Sequence, residues 1–134
     1  MNFIAVGVGG AIGSLLRFLV GIGSNHLWNV HFPLGTLIAN LLGCFILGWF
    51  TSSYIKMKKL HPHILTGVGT GMIGSFTTFS TFSVESVQLM QENHYGTAYA
   101  YIMLSMIGGL FMSWLGYKLE TTIKKPAAAE RGDL

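Results

Sequence analysis

The residue types in this chain that suit ion chemistry are concentrated in a short stretch from Gly74 to Ser83. Phe76, Phe79 and Phe82 recur at every third position there, and most of the other residues carry hydroxyl groups. Hydroxyl groups can replace water around an ion, and the rim of a phenyl ring carries partial positive charge that attracts anions. We interpret this stretch as a candidate ion site. The alternative is an ordinary helix whose hydroxyl groups bond to its own backbone carbonyls.

Four further polar residues lie inside apolar runs and pair at helical spacing. Asn40 follows Thr36 by four residues, which places both on one face of a helix. Ser105 follows Tyr101 by the same step. An amide in a membrane needs hydrogen-bond partners, so Asn40 either binds an ion or joins two helices. Tyr101 and Ser105 also have two interpretations: they either extend a polar track for an ion or form ordinary hydrogen bonds between helices.

Two charged residues also fall within or beside the apolar runs. Arg17 lies about 22 Å along its helix at 1.5 Å per residue. It either reaches the lipid headgroups or faces a water-filled vestibule, where it would attract anions. Glu85 is the only acidic residue between Leu60 and Gln91. Glu85 is either a carboxylate near the membrane interface or part of a proton relay.

The residue patterns of common enzymes do not occur in the sequence. All five histidines fall in or beside predicted loops, and His61 and His63 have no cysteine or carboxylate cluster nearby. This argues against a metalloenzyme. The apolar runs hold no serine–histidine pair and the chain has no phosphate-binding loop. The single cysteine, Cys44, excludes an intrachain disulfide. We therefore predict that the protein is not an enzyme.

Composition places these residues in a membrane protein. The chain has 134 residues, of which 51% are hydrophobic and only 10% are charged, against roughly 25% charged residues in soluble domains. No Asp, Glu, Lys or Arg lies between Arg17 and Lys56, from Leu60 to Val84, or from Asn93 to Tyr117. Each of these gaps can hold the roughly 20 apolar residues of a spanning helix. This composition argues against a soluble enzyme, a disordered protein and a nucleic-acid binder.

The sequence predicts an all-α integral membrane protein with four transmembrane helices. We expect them at about residues 2–23, 34–55, 64–91 and 95–117. The third would be about 42 Å long as one helix, which exceeds a hydrocarbon core of about 30 Å. We therefore expect it to be interrupted near its middle, where freed carbonyls could bind a cation. Residues 1–120 would form the membrane domain and residues 121–134 a polar tail, disordered or foreign at its end.

The basic residues predict the orientation of such a protein. With four spans, both termini and the middle loop lie on one side, and the two opposite loops carry no Lys or Arg. Lysine and arginine concentrate on the cytoplasmic side of membrane proteins, so we expect both termini in the cytoplasm. The residues on that side are Lys56, Lys58, Lys59, Lys118, Lys124, Lys125 and Arg131.

Three motifs resemble the signatures of a known family, the Fluc (CrcB) fluoride channels. The stretch Gly9–Arg17 is similar to the family's first-helix signature, and Gly35–Gly43 is similar to its second-helix motif. Gly71–Glu85 resembles the third-helix motif. The three occur in the family's order and spacing. The resemblance extends weakly into the fourth predicted helix.

This resemblance implies a passive, fluoride-selective channel that exports fluoride through the cell membrane of a prokaryote. Such channels are antiparallel, dual-topology dimers with two pores. By motif position, the fluoride pore would include Asn40, Phe79, Phe82, Ser80, Thr81, Tyr101, Ser105 and Thr36. Arg17 and Glu85 would belong to the vestibule. The backbone carbonyls of Gly74 and Thr77 would bind a structural sodium ion at the dimer interface.

Two alternatives to a fluoride channel remain at this point. One is a small four-helix, proton-coupled exporter of cations, although such a mechanism conventionally needs a carboxylate in the first helix, where this chain has Arg17. The other is a membrane subunit that transports nothing. The identity of the second subunit is also open, because the one-sided lysines and arginines are unusual for a chain that inserts both ways. The partner is either an identical chain or a paralogue with the opposite charge bias.

Overall fold

The computed structural model describes residues 2–27, 32–57 and 61–123, and the regular structure within these ranges is entirely helical. The elements are α1 (Asn2–Leu27), α2 (Leu34–Met57), α3 (Pro62–Thr66), a π-helical segment (Gly67–Ile73), α4 (Gly74–Phe76), α5 (Phe79–Gln91) and α6 (Tyr95–Ile123). Three stretches are long and apolar enough to cross a membrane: Phe3–Ser24, Leu34–Ser53 and Tyr95–Ile123, with mean hydropathies of 2.0, 1.7 and 1.5. The expectation of an all-α membrane protein agrees with this architecture.

The long helices extend past the ends that the sequence predicted. α1 ends at Leu27 and α2 at Met57, and α6 continues to Ile123 instead of ending near residue 117. The predicted start of a polar tail at residue 121 therefore falls inside α6. Polar side chains support this last turn, because the hydroxyl groups of Thr121 and Thr122 donate to the Lys118 carbonyl. Residues 124–134 lie outside the described part of the chain.

The segment predicted as a third helix is broken between α4 and α5. Thr77 and Thr78 at the break have extended backbone, with ψ angles of 152° and 115°. The segment also begins earlier than expected, at Pro62, because proline is well tolerated in the first turn of a helix. The interruption lies within the run of phenylalanine and hydroxyl residues, and this position brings Phe79 to the start of α5.

Two glycines show how closely the helices pack. A β-carbon at Gly13 in α1 would overlap the Met72 carbonyl of the π segment, and one at Gly48 in α2 would overlap the Ser113 carbonyl of α6. Small residues at such crossings let helix backbones approach in membranes. α1 therefore packs on the π segment, and α2 packs on α6.

α2 and α6 run in parallel, as their successive contacts show. Gly108 of α6 lies beside Leu41 of α2, and Glu120 bonds Ser52 near the other end. The carboxyl ends of the two helices therefore lie together. This places Lys118 at the same end of the bundle as the end of α2, in agreement with the predicted one-sided charge. The side chains of the other basic residues predicted for that side lie outside the described part of the chain.

The broken segment runs antiparallel to α2 along its length. Gly69 lies beside the ring of Phe50, the break lies beside Asn40, and Glu85 bonds Thr36. As the residue number rises along the broken segment, its contacts on α2 move from Phe50 to Thr36, a distance of about four helical turns. The break is held next to the first half of α2, at Asn40, and α5 continues toward α6.

Candidate functional site

Asn40 binds the backbone of Thr78 at the helix break. The Asn40 side-chain Nδ2 donates to the Thr78 carbonyl at 3.2 Å, and the Thr78 N–H donates to Asn40 Oδ1 at 2.8 Å. A helix end leaves backbone groups without helical partners, and buried backbone groups need a replacement. The Asn40 side-chain amide supplies this replacement: its Nδ2 is the donor and its Oδ1 the acceptor. Its Nδ2 carries a second N–H that these two bonds do not use.

The Thr78 hydroxyl caps α5. Its Oγ1 accepts from the Thr81 N–H at 3.2 Å and donates to Thr81 Oγ1 at 3.0 Å. The Ser80 hydroxyl lies 3.2 Å from the same oxygen. Thr78 is only 7% exposed, and a threonine cap contributes about 1 kcal/mol to a helix. The sequence analysis missed Thr78 as a site residue. The signal that could have found it is a threonine directly before a helix that restarts.

Several of the predicted pore residues line one cavity of about 350 Å³ next to the break, which we call the phenylalanine cavity. Its walls include Asn40, Thr77, Thr78, Phe79, Phe82, Ser105, Cys44 and Met106. The Phe79 and Phe82 rings are tilted to each other with centroids 5.9 Å apart. Phe79 is 80% exposed. The structure thus brings Asn40, both phenylalanines and Ser105 together.

The Ser105 hydroxyl is the unusual polar group of this cavity. Its Oγ is buried and has no hydrogen-bond partner within the described ranges. A buried hydroxyl without a partner is costly, and such a group calls for a ligand or a water. Ser105 therefore offers a hydrogen-bond donor in the cavity that Asn40 and Phe82 also line.

Glu85 joins three helices beside the phenylalanine cavity. The Thr36 hydroxyl of α2 donates to Glu85 Oε1, and the Tyr101 hydroxyl of α6 donates to Oε2, both at 2.8 Å. Tyr101 is fully buried, and its ring lies 5.2 Å from that of Phe82. The hydroxyl groups of Thr36 and Tyr101 are thus directed at a carboxylate. They attach α5, and with it Phe82, to α2 and α6.

A second cavity, of about 440 Å³, also reaches the break at Thr78, and we call it the arginine cavity. Arg17 is half-buried there, and the polar residues Ser14, Thr36, Thr78 and Thr81 also line the walls. A guanidinium group is always charged. The predicted vestibule residue Arg17 therefore faces a cavity rather than only lipid, and this cavity is suited to attracting anions.

The backbone carbonyls of Gly74 and Thr77 lose their helical donors at the break. In a continuous helix the Thr78 N–H would bond the Gly74 carbonyl, but it donates to Asn40 instead. The Thr81 N–H would bond the Thr77 carbonyl in the same way, but it donates to the Thr78 hydroxyl. Within the described residues, these two carbonyl oxygens at one break therefore lack the donors that a continuous helix would give them.

Comparisons with known proteins show which family the sequence resembles. Residues 4–117 match the family described as CrcB-like protein, Camphor Resistance (CrcB). The chain is 45% identical over 128 residues to a protein of Bacillus anthracis named fluoride-specific ion channel FluC 1, and the match covers 96% of this chain and 93% of that protein.

Two other bacterial relatives match over similar lengths. A protein of Desulfitobacterium hafniense named fluoride-specific ion channel FluC 1 is 47% identical, over 84% of this chain and 97% of its own length. The corresponding values for FluC 2 of Geobacillus kaustophilus are 45%, 87% and 91%. Bacterial relatives and three apolar helices confirm the predicted location as a multi-pass protein of a prokaryotic plasma membrane. The motif resemblance is also confirmed: this chain belongs to the CrcB family.

Proposed function

We propose that this chain is the subunit of a passive, fluoride-selective ion channel that exports fluoride across the plasma membrane and so reduces its toxicity. The observation that carries the proposal is the 45% identity, over 96% of the chain, to a protein named fluoride-specific ion channel. The activity is ion transport, with fluoride as the transported ion, and not catalysis.

The phenylalanine cavity supports this function on physical grounds. Fluoride is small and tightly hydrated, so a pore must offer several donors at short range while binding weakly enough to release the ion. The second N–H of Asn40 and the unpaired hydroxyl of Ser105 are such donors. The rims of Phe79 and Phe82 add weak attraction. The proposed pore residues are Asn40, Phe79, Phe82, Ser80, Thr81, Tyr101, Ser105 and Thr36, with Arg17 and Glu85 at the vestibule.

We infer that the broken segment is a fourth membrane crossing. It runs along α2 from the level of Phe50 to that of Thr36, so it covers most of the thickness that α2 spans. Irregular backbone at that depth is tolerated where it is buried or lines a cavity, and Thr77 and Thr78 do line one. α3, α4 and α5 with the π segment would then form one crossing.

A structural sodium ion fits the break. The carbonyl oxygens of Gly74 and Thr77 lack their helical donors, and oxygen ligands of this kind suit hard cations. A two-fold axis through the break would bring two such pairs of carbonyls to one ion. The sodium ion would fix the breaks of the two subunits against each other and so stabilise the dimer.

The second subunit would lie antiparallel to this one. Phe79, 80% exposed in the single chain, would be covered by it, and the partner would complete the walls of each pore. The partner is an identical chain or a paralogue with the opposite lysine and arginine bias. Expression of this chain alone separates the two: an identical partner gives a folded dimer, whereas a paralogue requirement gives none until the second chain is added.

A liposome experiment tests the proposed function. Purified protein should release a fluoride gradient, measured with a fluoride electrode, and should leave an equal chloride gradient in place. Phe79→Ile and Phe82→Ile keep an apolar side chain but remove the ring, so fluoride flux should fall. Equal chloride flux, or flux unaffected by both substitutions, would contradict the proposal.

The structure supports the two alternatives, a proton-coupled cation exporter and a non-transporting subunit, less than it supports a channel. A proton-coupled cation exporter would use Glu85, yet this carboxylate is bonded by Thr36 and Tyr101 and holds three helices together. Exchange of cations that depends on a pH gradient and is lost in Glu85→Gln would favour it. A non-transporting subunit would show no flux of any ion.

A further inference from the structure

The phenylalanine cavity and the arginine cavity meet at one residue. Thr78 lines both, and no other residue is common to their walls. It stands at the break, between α4 and α5, where its side chain is buried. An anion that moved directly from the cation-bearing cavity to the phenylalanines would pass Thr78.

Thr78 cannot easily move out of the way. Asn40 bonds both its N–H and its carbonyl, which fixes the backbone on either side of the side chain. The Thr81 N–H holds the hydroxyl oxygen from a third direction. The proton of this hydroxyl is the group left free to reorient, because Thr81 Oγ1 at 3.0 Å and Ser80 Oγ at 3.2 Å are both within hydrogen-bond distance.

We propose that the Thr78 hydroxyl is an anion-binding position at the junction of the two cavities, whose walls both include Thr78. This inference rests on the proposed channel function and adds a residue to it. An arriving fluoride ion takes the place of Thr81 Oγ1 as the acceptor of the Thr78 proton. The ion then passes to the Asn40 and Ser105 donors, and the hydroxyl turns back to Thr81. No covalent bond changes in this step.

The test compares two nearly isosteric variants, Thr78→Asn and Thr78→Asp. Both residues cap helices as well as threonine does, so both preserve the start of α5. They differ in charge, and a carboxylate about 4 Å from a passing anion, at an effective dielectric of about 20, raises the barrier by about 4 kcal/mol, which slows passage by roughly 1,000-fold. We expect fluoride flux of the Asp variant to fall below that of the Asn variant by this factor.

Thr51 offers a matched control. It is exposed on α2 and lines a different cavity, together with Trp114 and Tyr117. Thr51→Asn and Thr51→Asp should conduct equally, which would separate an effect at Thr78 from the general effect of an added negative charge. Equal flux in the two Thr78 variants would overturn the inference. Failure of the unmodified protein to move fluoride would instead overturn the proposed function.

A second pair of variants replaces the first if either of them does not fold or if the Asn variant carries no fluoride flux. If either Thr78 variant fails to elute as folded protein, or the Asn variant shows no flux, Thr78→Ser and Thr78→Ala are compared instead. The serine keeps the hydroxyl and the alanine removes it. Flux that is higher with serine supports the inference, and equal flux overturns it.

Discussion

Asn40 and Thr78 are joined by two hydrogen bonds, one to each backbone group of the threonine, at 3.2 and 2.8 Å. The pair links the second turn of α2 to the point where the broken helix restarts. A helix break in a membrane has no water to satisfy its backbone, so a side chain must do so. Asn40 thus has a structural function that is independent of any contact with fluoride.

Asn40→Ala should destabilise the protein and reduce fluoride flux. The substitution leaves the Thr78 N–H and carbonyl without their partner, at a cost of about 1–3 kcal/mol for each buried group. Thermal unfolding in detergent and liposome flux measure the two effects. Gln88→Ala removes an amide from an exposed position of α5 and should change neither. An unchanged unfolding temperature in Asn40→Ala would show that the two bonds contribute little.

Thr36→Val and Tyr101→Phe should each weaken the attachment of α5. Each removes one hydroxyl that donates to Glu85, and hydrogen bonds to a charged group contribute about 1.5–3 kcal/mol. Since both act on one carboxylate, the double variant should depart from additivity. Thermal unfolding of the four proteins measures the coupling.

Tyr99 provides the control for the Glu85 network, because it lies on the same helix as Tyr101 and is 67% exposed. Tyr99→Phe should leave stability and flux unchanged. Strictly additive effects of Thr36→Val and Tyr101→Phe would mean that Glu85 does not couple them.

Ser52→Ala should lower stability without a specific effect on transport. The Ser52 hydroxyl donates to the Glu120 carboxylate at 2.8 Å, and the two residues are 1% and 2% exposed. This contact lies near the carboxyl ends of α2 and α6, away from the break. We expect a loss of about 1.5–3 kcal/mol, measured by thermal unfolding. The neighbouring Ser53→Ala is the control, and a selective loss of flux in folded Ser52→Ala would contradict the assignment.

Gly13→Ala should disrupt the packing of α1 on the π segment. The added methyl group would overlap the Met72 carbonyl, and overpacking typically costs about 1–3 kcal/mol. Gly7 is a control in the same helix, because the space around it is open. Gly7→Ala should be neutral or stabilising, since alanine favours a helix by about 1 kcal/mol over glycine. The yield and unfolding temperature of the folded protein distinguish the two.

Replacing sodium with a large organic cation should destabilise the dimer and lower flux, if the carbonyls of Gly74 and Thr77 bind sodium as proposed. An ion that binds only the folded state stabilises it by RT ln(1 + c/Kd), where c is the ion concentration, so removal of the ion removes this stabilisation. Unfolding temperature measured at constant ionic strength, with sodium or N-methylglucamine, tests this. Identical values in the two salts would count against the sodium site.

Much of the architecture followed from local sequence. The charge-free runs predicted the three long helices, because burial in lipid depends on residue type along about 20 positions. The length and composition of the third run also predicted its break. The helix ends were less accurate: α6 extends to Ile123. Glu120 in this extension is bonded by Ser52, a residue 68 positions away that local pattern does not reveal.

The candidate site divides in the same way. The sequence alone singled out Asn40, Phe79, Phe82 and Ser105, since polar and aromatic residues inside apolar runs need a reason to be there. Only the tertiary structure decided which backbone Asn40 binds, and that Thr36 and Tyr101 meet at Glu85. It also placed Thr78 between two cavities. Hydrogen bonds between helices depend on how the helices cross, which is set by packing over the whole bundle and not by the spacing of residues along one of them.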